Sequence, residues 1–333
     1  MTAPEVRTYA TIGPDDDDFH DAVMSGRWWE TETCWFSWNV PERRMGGWTY
    51  AQVRPNARLC NGGVWVWDDT GAYSWELPYH VNYSGLELSD ERDLRDFQFP
   101  TGVRVTCLEP LSRYRILYQD PSDLELDLQF EAIMAPNPHP TGVAPFTKGA
   151  HFDQAGHVTG SMVLQGEAIA VDCYAVRDRS WGPRPQGPPR KRKAADAEVG
   201  SGTGGIGYSF ATASPQDAFL VYSIPTGDDD PVVCGYLIRG GQYAHVLSGE
   251  RRVEVDPRTG WITRLDITGV DDAGRRFRAA GQVVSRHWRG LGGDSLVHWS
   301  WDDVAGWGED QTYFSKTTWR ARREAAAASS KRD

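Results

Sequence analysis

The sequence predicts an all-β protein, and three observations support this. Apolar and polar residues alternate along short stretches such as 29–38, 48–54 and 64–67, which is the period of a half-buried strand. Turn-forming residues separate these stretches. Examples are Pro41-Glu42, Gly46-Gly47 and Asn61-Gly62-Gly63. No helical pattern interrupts the series as far as residue 134, which is typical of an up-and-down barrel or a strongly curled sheet.

The first half is predicted to open with a short helix over 14–25. Four adjacent acids, Asp15 to Asp18, favour a helix N-terminus, and Gly26 ends the helix. We expect these acids to be solvated, with a metal site as the alternative. The predicted strands that follow lie at 29–38, 48–54, 64–67, 73–82, 86–88, 103–108, 114–118 and 124–134.

A proline-rich segment, 135–142, marks the predicted domain boundary, because neither a helix nor a strand interior tolerates three prolines in eight residues. With 333 residues the chain can build two cores. The predicted domains are 1–138 and 139–325. Predicted strands of the second lie at 152–164, 167–176, 207–213, 218–224, 232–239, 242–247, 252–255, 262–268, 276–284, 296–301 and 311–319.

Two segments have a different composition. Residues 185–206 are rich in Pro, Gly, Lys and Arg, so they are predicted to form a flexible loop. The loop directly follows the stretch around Asp178, which makes it a candidate mobile cover for a site there. The tail after Trp319 is predicted to add one or two helical turns.

Charge and cysteine content limit the possible partners. A net charge of -11 argues against nucleic acid and anionic membranes, which need a basic face, and favours a neutral or apolar ligand. Five scattered cysteines without a Cys-x-x-Cys pair indicate reduced thiols and no zinc site. No run of about 18 apolar residues and no secretory signal are visible, so we expect a cytoplasmic protein without integral membrane association.

Cofactor motifs are missing from the sequence. It contains no phosphate-binding glycine loop, zinc signature, nucleophile elbow or dinucleotide fingerprint, so we expect chemistry without a cofactor or a metal, or simple binding. The fifteen tryptophans suit half-buried strands, and they also suit the lining of a pocket for a flat or lipophilic ligand.

The stretch 151–184 concentrates the residues that can carry chemistry. Alternation along a strand places Asp178 and Ser180 on one face and Arg177, Arg179 and Trp181 on the other. A carboxylate among guanidiniums and a large aromatic ring is a candidate acid/base site. An ion-paired corner between two sheets is the competing interpretation.

This stretch resembles the AttH and hydroxyneurosporene synthase (carotenoid 1,2-hydratase) family of tandem lipocalin-like proteins. The resemblance rests on Gly156-His-Val-Thr-Gly160 and on Arg177-Asp-Arg-Ser-Trp-Gly-Pro-Arg184, which is similar to the family's Asp-(His/Arg)-x-Trp-Gly signature. A weaker match covers 41–48. The resemblance implies two lipocalin-like antiparallel β-barrels in tandem and lyase-type activity. Carotenoid hydratases often have an aromatic residue two positions before the Asp, where this chain has Val176.

Candidate site residues come from this motif and from neighbouring strands. The predicted catalytic residues are Asp178, His151, Tyr174 and Glu309. The predicted substrate-binding residues are aromatic, amide or cationic: Trp181, Tyr208, His80, Asn82, Tyr83, Trp75, His245 and Arg177. For each histidine a structural role is the competing explanation.

These residues predict acid/base chemistry on a lipophilic molecule. A carboxylic acid desolvated by Trp181 can give a proton to an alkene or to a departing hydroxyl group, and aromatic faces stabilise the resulting positive charge by ~1–2 kcal/mol each. The predicted function is a cofactor-independent lyase, a hydratase or dehydratase of an isoprenoid, steroid-like or aromatic compound. The alternatives are a non-catalytic carrier of a hydrophobic ligand, and a cyclase or carbon–carbon lyase that uses the same pocket.

Overall fold

Two antiparallel β-sheets make up most of the chain in the computed structural model, which describes residues 7–20, 26–90, 93–147, 149–183, 205–226 and 229–329. The prediction of an all-β fold with two lipocalin-like units in tandem is confirmed. Most of the predicted loop 185–206 lies outside the described residues.

The first sheet is open and has eleven strands. They are β1 Glu30–Val40, β2 Met45–Arg54, β3 Leu59–Trp67, β4 Tyr79–Glu87, β5 Asp96–Gln98, β6 Arg104–Glu109, β7 Arg113–Asp120, β8 Leu124–Ala132, β9 Asn137–Pro138, β10 Ala150–Leu164 and β11 Glu167–Pro183. Their order is β4-β3-β2-β1-β11-β10-β8-β7-β6-β5, with β9 against β10. The sheet curls so far that Tyr79 of β4 meets Tyr118 of β7, with the hydroxyl oxygens 2.5 Å apart.

The second sheet is a closed eight-stranded barrel. Its strands are β12 Ile206–Ser214, β13 Asp217–Ser223, β14 Asp229–Arg239, β15 Gln242–Val255, β16 Ile262–Asp271, β17 Arg276–Arg289, β18 Gly292–Trp301 and β19 Val304–Tyr313. Helix α1, Lys316–Ser329, follows and is longer than the predicted one or two turns. Ser315 precedes it, and its hydroxyl accepts the backbone N–H of Thr318 at 3.0 Å, which satisfies one of the open donors of the first turn.

Three hydrophobic cores hold these sheets together. The first core lies on the concave face of the first sheet and includes Phe36 and Trp38. The second core fills the barrel. The third joins the opposite face of the first sheet, with Trp35 and Trp48, to the outer surface of the barrel. Both faces of β1 are therefore buried, whereas β8 alternates between buried and exposed residues from Leu124 to Glu131. This explains the dense aromatic content of β1–β3.

The predicted boundary after residue 138 does not separate the two sheets. Strands β10 and β11 belong to the first sheet, since β11 pairs with β1 and β10 pairs with β8. The first sheet ends at Pro183 and the barrel begins at Ile206. Of the prolines in 135–142, Pro138 belongs to the short strand β9 and the other two flank it, and β9 pairs with the start of β10.

Two glycine pairs predicted as turns lie inside strands. Gly46-Gly47 belongs to β2 and Gly62-Gly63 to β3. A Cβ at Gly47 would lie 2.4 Å from the Trp38 ring, so the missing side chain makes room for a large indole. The turns themselves fall at Pro41–Arg43 and Pro55–Ala57, and each is closed by an arginine in the left-handed conformation.

The acidic segment near the N-terminus also differs from its prediction. It forms a short 3-10 helix, Pro14–Asp17, and residues 21–25 of the predicted helix lie outside the described part. Asp17 is buried rather than solvated, because Tyr114 and the backbone N–H of Leu111 donate to it and Arg177 pairs with it. All five cysteines carry free thiols. Within the described residues, no helix has the length and apolarity that a membrane crossing requires.

Candidate active site

The site begins with the register between β10 and β11. Asp153 lies directly opposite Asp178, and His151 lies opposite Ser180. Residues opposite each other in an antiparallel pair point to the same face, so these four side chains form a two-by-two group. On the other side of β11, β1 extends the group with Trp35 opposite Asp178 and with a threonine opposite Ser180.

The barrel completes this group with two phenols. The hydroxyl groups of Tyr208 on β12 and Tyr222 on β13 each donate to Asp153 Oδ1, at 2.8 and 2.9 Å. His151 Nε2 lies 2.8 Å from the same oxygen and 2.6 Å from the Tyr222 hydroxyl. Three groups from two sheets therefore converge on one fully buried carboxylate.

Burial fixes the protonation states of the phenols. Desolvation, followed by the charge of Asp153, raises the pKa of Tyr208 and that of Tyr222 well above 10, so both remain hydrogen-bond donors at neutral pH. Nearby His139 packs edge-on against Tyr222, with ring centres 5.0 Å apart. Burial, and then the neighbouring His151, lowers the pKa of His139 to about 4, so this ring is neutral.

A cavity of about 220 Å³ opens between the two sheets at this point. Asp178 forms part of its wall and is partly accessible, whereas Asp153 is fully buried. The lining combines polar groups with aromatic rings: Thr33, Trp35, Trp48, Tyr50, Phe146, His151, Asp178, Ile206, Tyr208, Tyr222, Arg289, Gln311 and Tyr313. A larger depression of about 670 Å³ lies elsewhere on the first sheet, where exposed pairs such as Arg115–Asp127 line it. It contains none of the groups that converge on Asp153.

The two arginines beside Asp178 point away from this cavity, as strand alternation predicts. Arg177 is buried on the opposite face, pairs with Asp17 and stacks over the Tyr114 ring at 4.0 Å. Arg179 pairs with Glu32 at 2.8 Å. The ion-paired corner and the candidate acid/base site therefore both exist, on opposite faces of β11.

Of the predicted catalytic residues, Asp178 and His151 line the cavity together with Tyr208, which was predicted to bind substrate. Glu309 lies behind the wall, where Trp48 Nε1 and Gln311 Nε2 donate to its Oε2 at 2.9 and 3.2 Å. Desolvation raises the pKa of Glu309 well above 4.5, which favours the protonated form of this carboxyl group.

The other predicted residues of β11 and the barrel lie outside the cavity. Tyr174 packs against the ring of His157, and His245 stacks on Tyr9 with ring centres 4.0 Å apart. Trp181 stacks on His20 at 3.9 Å on the opposite face, so Trp35 rather than Trp181 shields Asp178. Arg177, predicted to bind substrate, is likewise on that opposite face.

The predicted residues of the first sheet's edge are also remote from Asp178. His80 packs between Trp65 and His287, and its pKa is lowered by burial and then by Arg289. Asn82 and Tyr83 are exposed on β4. Trp75 is 80% exposed and stacks on Tyr73. Strand β4 pairs only with β3 in the described sheet, and two strands, β3 and β2, separate it from β1.

Sequence analysis missed Asp153, Tyr222 and Arg289. One signal for Asp153 was present, because His151-Phe-Asp153 places both side chains on the face shared with Asp178. Tyr222 and Arg289 offered no such local signal. They reach the cavity only through the docking of the barrel against the first sheet.

The same group includes possible metal ligands. One ligand atom from each of His151, Asp153 and Asp178 lies within 4.8 Å of the others. One imidazole and two carboxylates are ligands that several divalent cations accept. In the structure, however, both tyrosine hydroxyls and His151 Nε2 already contact Asp153, so a cation would have to displace these hydrogen bonds. The donors present fit a proton-transfer network better than a cation site.

The fold and site together define a tandem lipocalin-like protein with a polar cavity between its two β units. The chain belongs to the family described as a domain of unknown function, DUF7064, whose model matches residues 13–310. A search of curated proteins finds no match.

The solved structures that share the fold include the following three. The AttH-type protein NE1406 of Nitrosomonas europaea has a TM-score of 0.61 and 15% identity, over 94% of this chain and 99% of that one. The structure of CghA with Sch210972 has a TM-score of 0.54 and 11% identity, over 93% of this chain and 94% of that one. Kievitone hydratase of Nectria haematococca has a TM-score of 0.50 and 13% identity, over 87% of this chain and 90% of that one. The sequence resemblance to AttH-like proteins is thereby confirmed for the fold.

Proposed function

We propose that this protein is a cofactor-independent lyase that adds water to, or removes it from, a carbon skeleton in the cavity between its two sheets. The observation that carries this proposal is the pairing of an accessible carboxyl group, Asp178, with a buried one, Asp153, which two tyrosine hydroxyls and His151 Nε2 contact. That one fold neighbour is a hydratase by name supports the same class of reaction.

Accessibility assigns different roles to the two acids. The Tyr208 and Tyr222 hydroxyls and His151 Nε2 surround the fully buried Asp153 carboxyl group, whereas Asp178 opens onto the cavity. The proposal therefore places the proton that is transferred on Asp178, because only this acid can touch a bound molecule. In this proposal Asp178 is the acid that touches substrate, and Asp153 is a positioning residue that acts through it.

The hydration step then balances as follows. Asp178 gives its proton to one alkene carbon, the π bond breaks, and the positive charge develops on the other carbon. The faces of Trp35 and Trp48 on the cavity wall stabilise that charge. A water molecule adds to the cation and returns one proton to the Asp178 carboxylate. Dehydration follows the same steps in reverse.

The proposal is tested with Asp178→Asn, and Asp172→Asn is the matched control. Asp172 lies on the same strand but is exposed, where it contacts His157. Proteins are incubated with kievitone and with simple prenylated phenols in water labelled with heavy oxygen, and label in the product is measured by mass spectrometry. We expect Asp178→Asn to lower the rate about 10²–10⁴-fold, which is the usual contribution of general acid catalysis, and Asp172→Asn to leave it unchanged.

Other outcomes separate the alternatives. Equal turnover by Asp178→Asn and wild type would exclude Asp178 as the acid. Binding of these compounds without turnover by any variant would favour a carrier. Loss of turnover on treatment with a chelator, restored by a divalent cation, would favour a metal at His151, Asp153 and Asp178.

A further inference from the structure

The cavity has a second polar end, which the proposed acid/base chemistry does not use. Arg289, the last residue of β17, lines the same cavity as Asp178. Its guanidinium carbon lies 5.1 Å from the ring centre of Trp48, 5.3 Å from that of Trp65 and 5.2 Å from that of Tyr313. Three rings from both sheets therefore hold this cation in place.

The accessible charge at this end is positive. Arg289 Nε donates to Asp294 Oδ2 at 3.0 Å, and the Tyr313 hydroxyl donates to the other oxygen of the same carboxyl group. Asp294 is fully buried, whereas about one third of the Arg289 side chain is exposed. A ligand in the cavity thus meets the guanidinium and not its carboxylate partner. Gln311 also lines the cavity, and its amide nitrogen donates to Glu309.

Aromatic rings separate the two ends. Trp35 lies opposite Asp178 in the β1–β11 register, and its ring centre is 5.3 Å from that of Trp48. Trp48 in turn contacts Arg289. A bound molecule that reaches from the guanidinium to Asp178 therefore passes along two indole rings. The sequence of groups along the wall is cation, apolar rings, acid.

We propose that Arg289 binds an anionic oxygen of the substrate, such as a carboxylate, enolate or phenolate, and so directs the apolar part of the molecule towards Asp178. A planar guanidinium on a cavity wall is suited to this role because it offers two parallel donors. The inference rests on the proposed function for the identity of the reacting end, but anion binding itself does not require turnover. The overall charge of -11 predicted a neutral or apolar ligand. Arg289 reverses the sign of the charge locally.

The test compares two probes of nearly equal shape, 2-naphthoate, which is an anion, and 2-naphthamide, which is neutral. Binding is followed by quenching of tryptophan fluorescence, since Trp35 and Trp48 line the cavity. We expect wild type to prefer the anion by about tenfold or more, as loss of one charge-assisted contact predicts. Arg289→Met removes this preference and changes binding of the amide by less than about twofold. Arg289→Lys retains part of it.

Arg286→Met is the matched control, because Arg286 lies on the same strand over Trp261 and outside this cavity. It should leave both affinities unchanged. Thermal unfolding checks each variant, and Arg289→Gln replaces Arg289→Met if the latter does not fold. Absence of an anion preference in wild type, including failure of 2-naphthoate to bind at millimolar concentration, overturns the inference. The inference is also overturned if Arg286→Met loses the anion preference to the same extent as Arg289→Met.

The two proposals fail separately. If Asp178→Asn retains full turnover while 2-naphthoate still requires Arg289, the acid/base proposal is wrong and the anion site stands. If Asp178→Asn loses turnover and Arg289→Met binds both probes as wild type does, Arg289 has only a structural role between the sheets.

Discussion

Individual residues in this protein owe their properties to burial between the two sheets. Glu309 is the clearest case, because a carboxyl group on a barrel strand is covered by Trp48 of the first sheet. Its pKa is raised well above 4.5, chiefly by desolvation. In the unfolded chain the same group ionises above pH 4.5, so its contribution to stability is present at low pH and is lost as the pH rises.

We therefore expect Glu309→Gln to be well tolerated. Glutamine keeps the shape of the neutral acid and an oxygen for the Trp48 N–H, so the free energy of unfolding at pH 5 should lie within about 1 kcal/mol of wild type. At pH 8 the variant should be at least as stable as wild type. Ionisation of Glu309 stabilises the unfolded wild-type chain at this pH, and glutamine cannot ionise. Urea denaturation at both pH values measures this.

Glu309→Leu is the control for that substitution. It leaves the buried Trp48 N–H without an acceptor, which costs about 1–3 kcal/mol. Equal destabilisation by Gln and Leu would show that Glu309 is ionised in the folded protein.

At this scale the sequence predicts part of the candidate site. Asp178 and its separation from Arg177 and Arg179 followed from strand alternation alone. Asp153 required only the same rule applied to β10. Tyr222 could not be found this way, because its hydroxyl reaches Asp153 across 69 positions of sequence and between two different sheets.

At the scale of strands, the alternation of apolar and polar residues was the main signal that predicted where strands lie. Strands such as β8, which alternates between buried and exposed residues, were found close to their true ends. Strand pairing was not visible locally, and therefore β10 and β11 were assigned to the wrong sheet. Trp65-Val-Trp-Asp-Asp69 and Trp299-Ser-Trp-Asp-Asp303 have the same local pattern, but their tryptophans lie in different surroundings. Trp65 and Trp67 face the barrel's outer surface, whereas Trp299 and Trp301 lie inside the barrel.

Gly47 shows how packing between strands restricts a sequence position. A Cβ there would lie 2.4 Å from the Trp38 ring, so Gly47→Ala should lower the free energy of unfolding by about 1–3 kcal/mol. In the double variant Gly47→Ala/Trp38→Leu the smaller side chain makes room for the methyl group. We expect the double variant to be more stable than the sum of the two single effects predicts, by about 1 kcal/mol.

Chemical denaturation of the four proteins gives this coupling energy. Strictly additive effects would mean that the Trp38 ring does not limit position 47. Gly85→Ala is a comparison variant in which a Cβ meets no neighbour. Gly85 has φ 73 and open space around it, so any loss of stability there reports backbone strain and not crowding.

For the whole molecule, stability depends on neutral histidines buried between the sheets. The pKa of His139 is lowered to about 4, mainly by desolvation, whereas the unfolded side chain titrates near 6.5. The unfolded state thus takes up a proton first as the pH falls. The stability associated with neutral His139 is complete above about pH 6.5 and is lost between there and pH 4.

His139→Gln removes this titration while keeping a donor for the carbonyl of Val143, which the ring contacts at 3.0 Å. Between pH 7 and pH 5, wild type should lose about 1–2 kcal/mol more stability than this variant. Thermal or urea unfolding at the two pH values checks this. His298→Gln, at an exposed position, should follow wild type, and a pH dependence in His139→Gln as steep as that of wild type would assign the loss to another group.

The phenols that hold Asp153 come from the barrel, and the carboxylate they hold comes from the first sheet. Neither half, produced by itself, possesses the complete set of groups. The proposed chemistry thus depends on the contact between the two sheets, and a substitution that shifts one sheet by a fraction of an ångström must be matched by a change in the other. Each sheet can change elsewhere on its surface independently, but residues at the contact between the two sheets must change together.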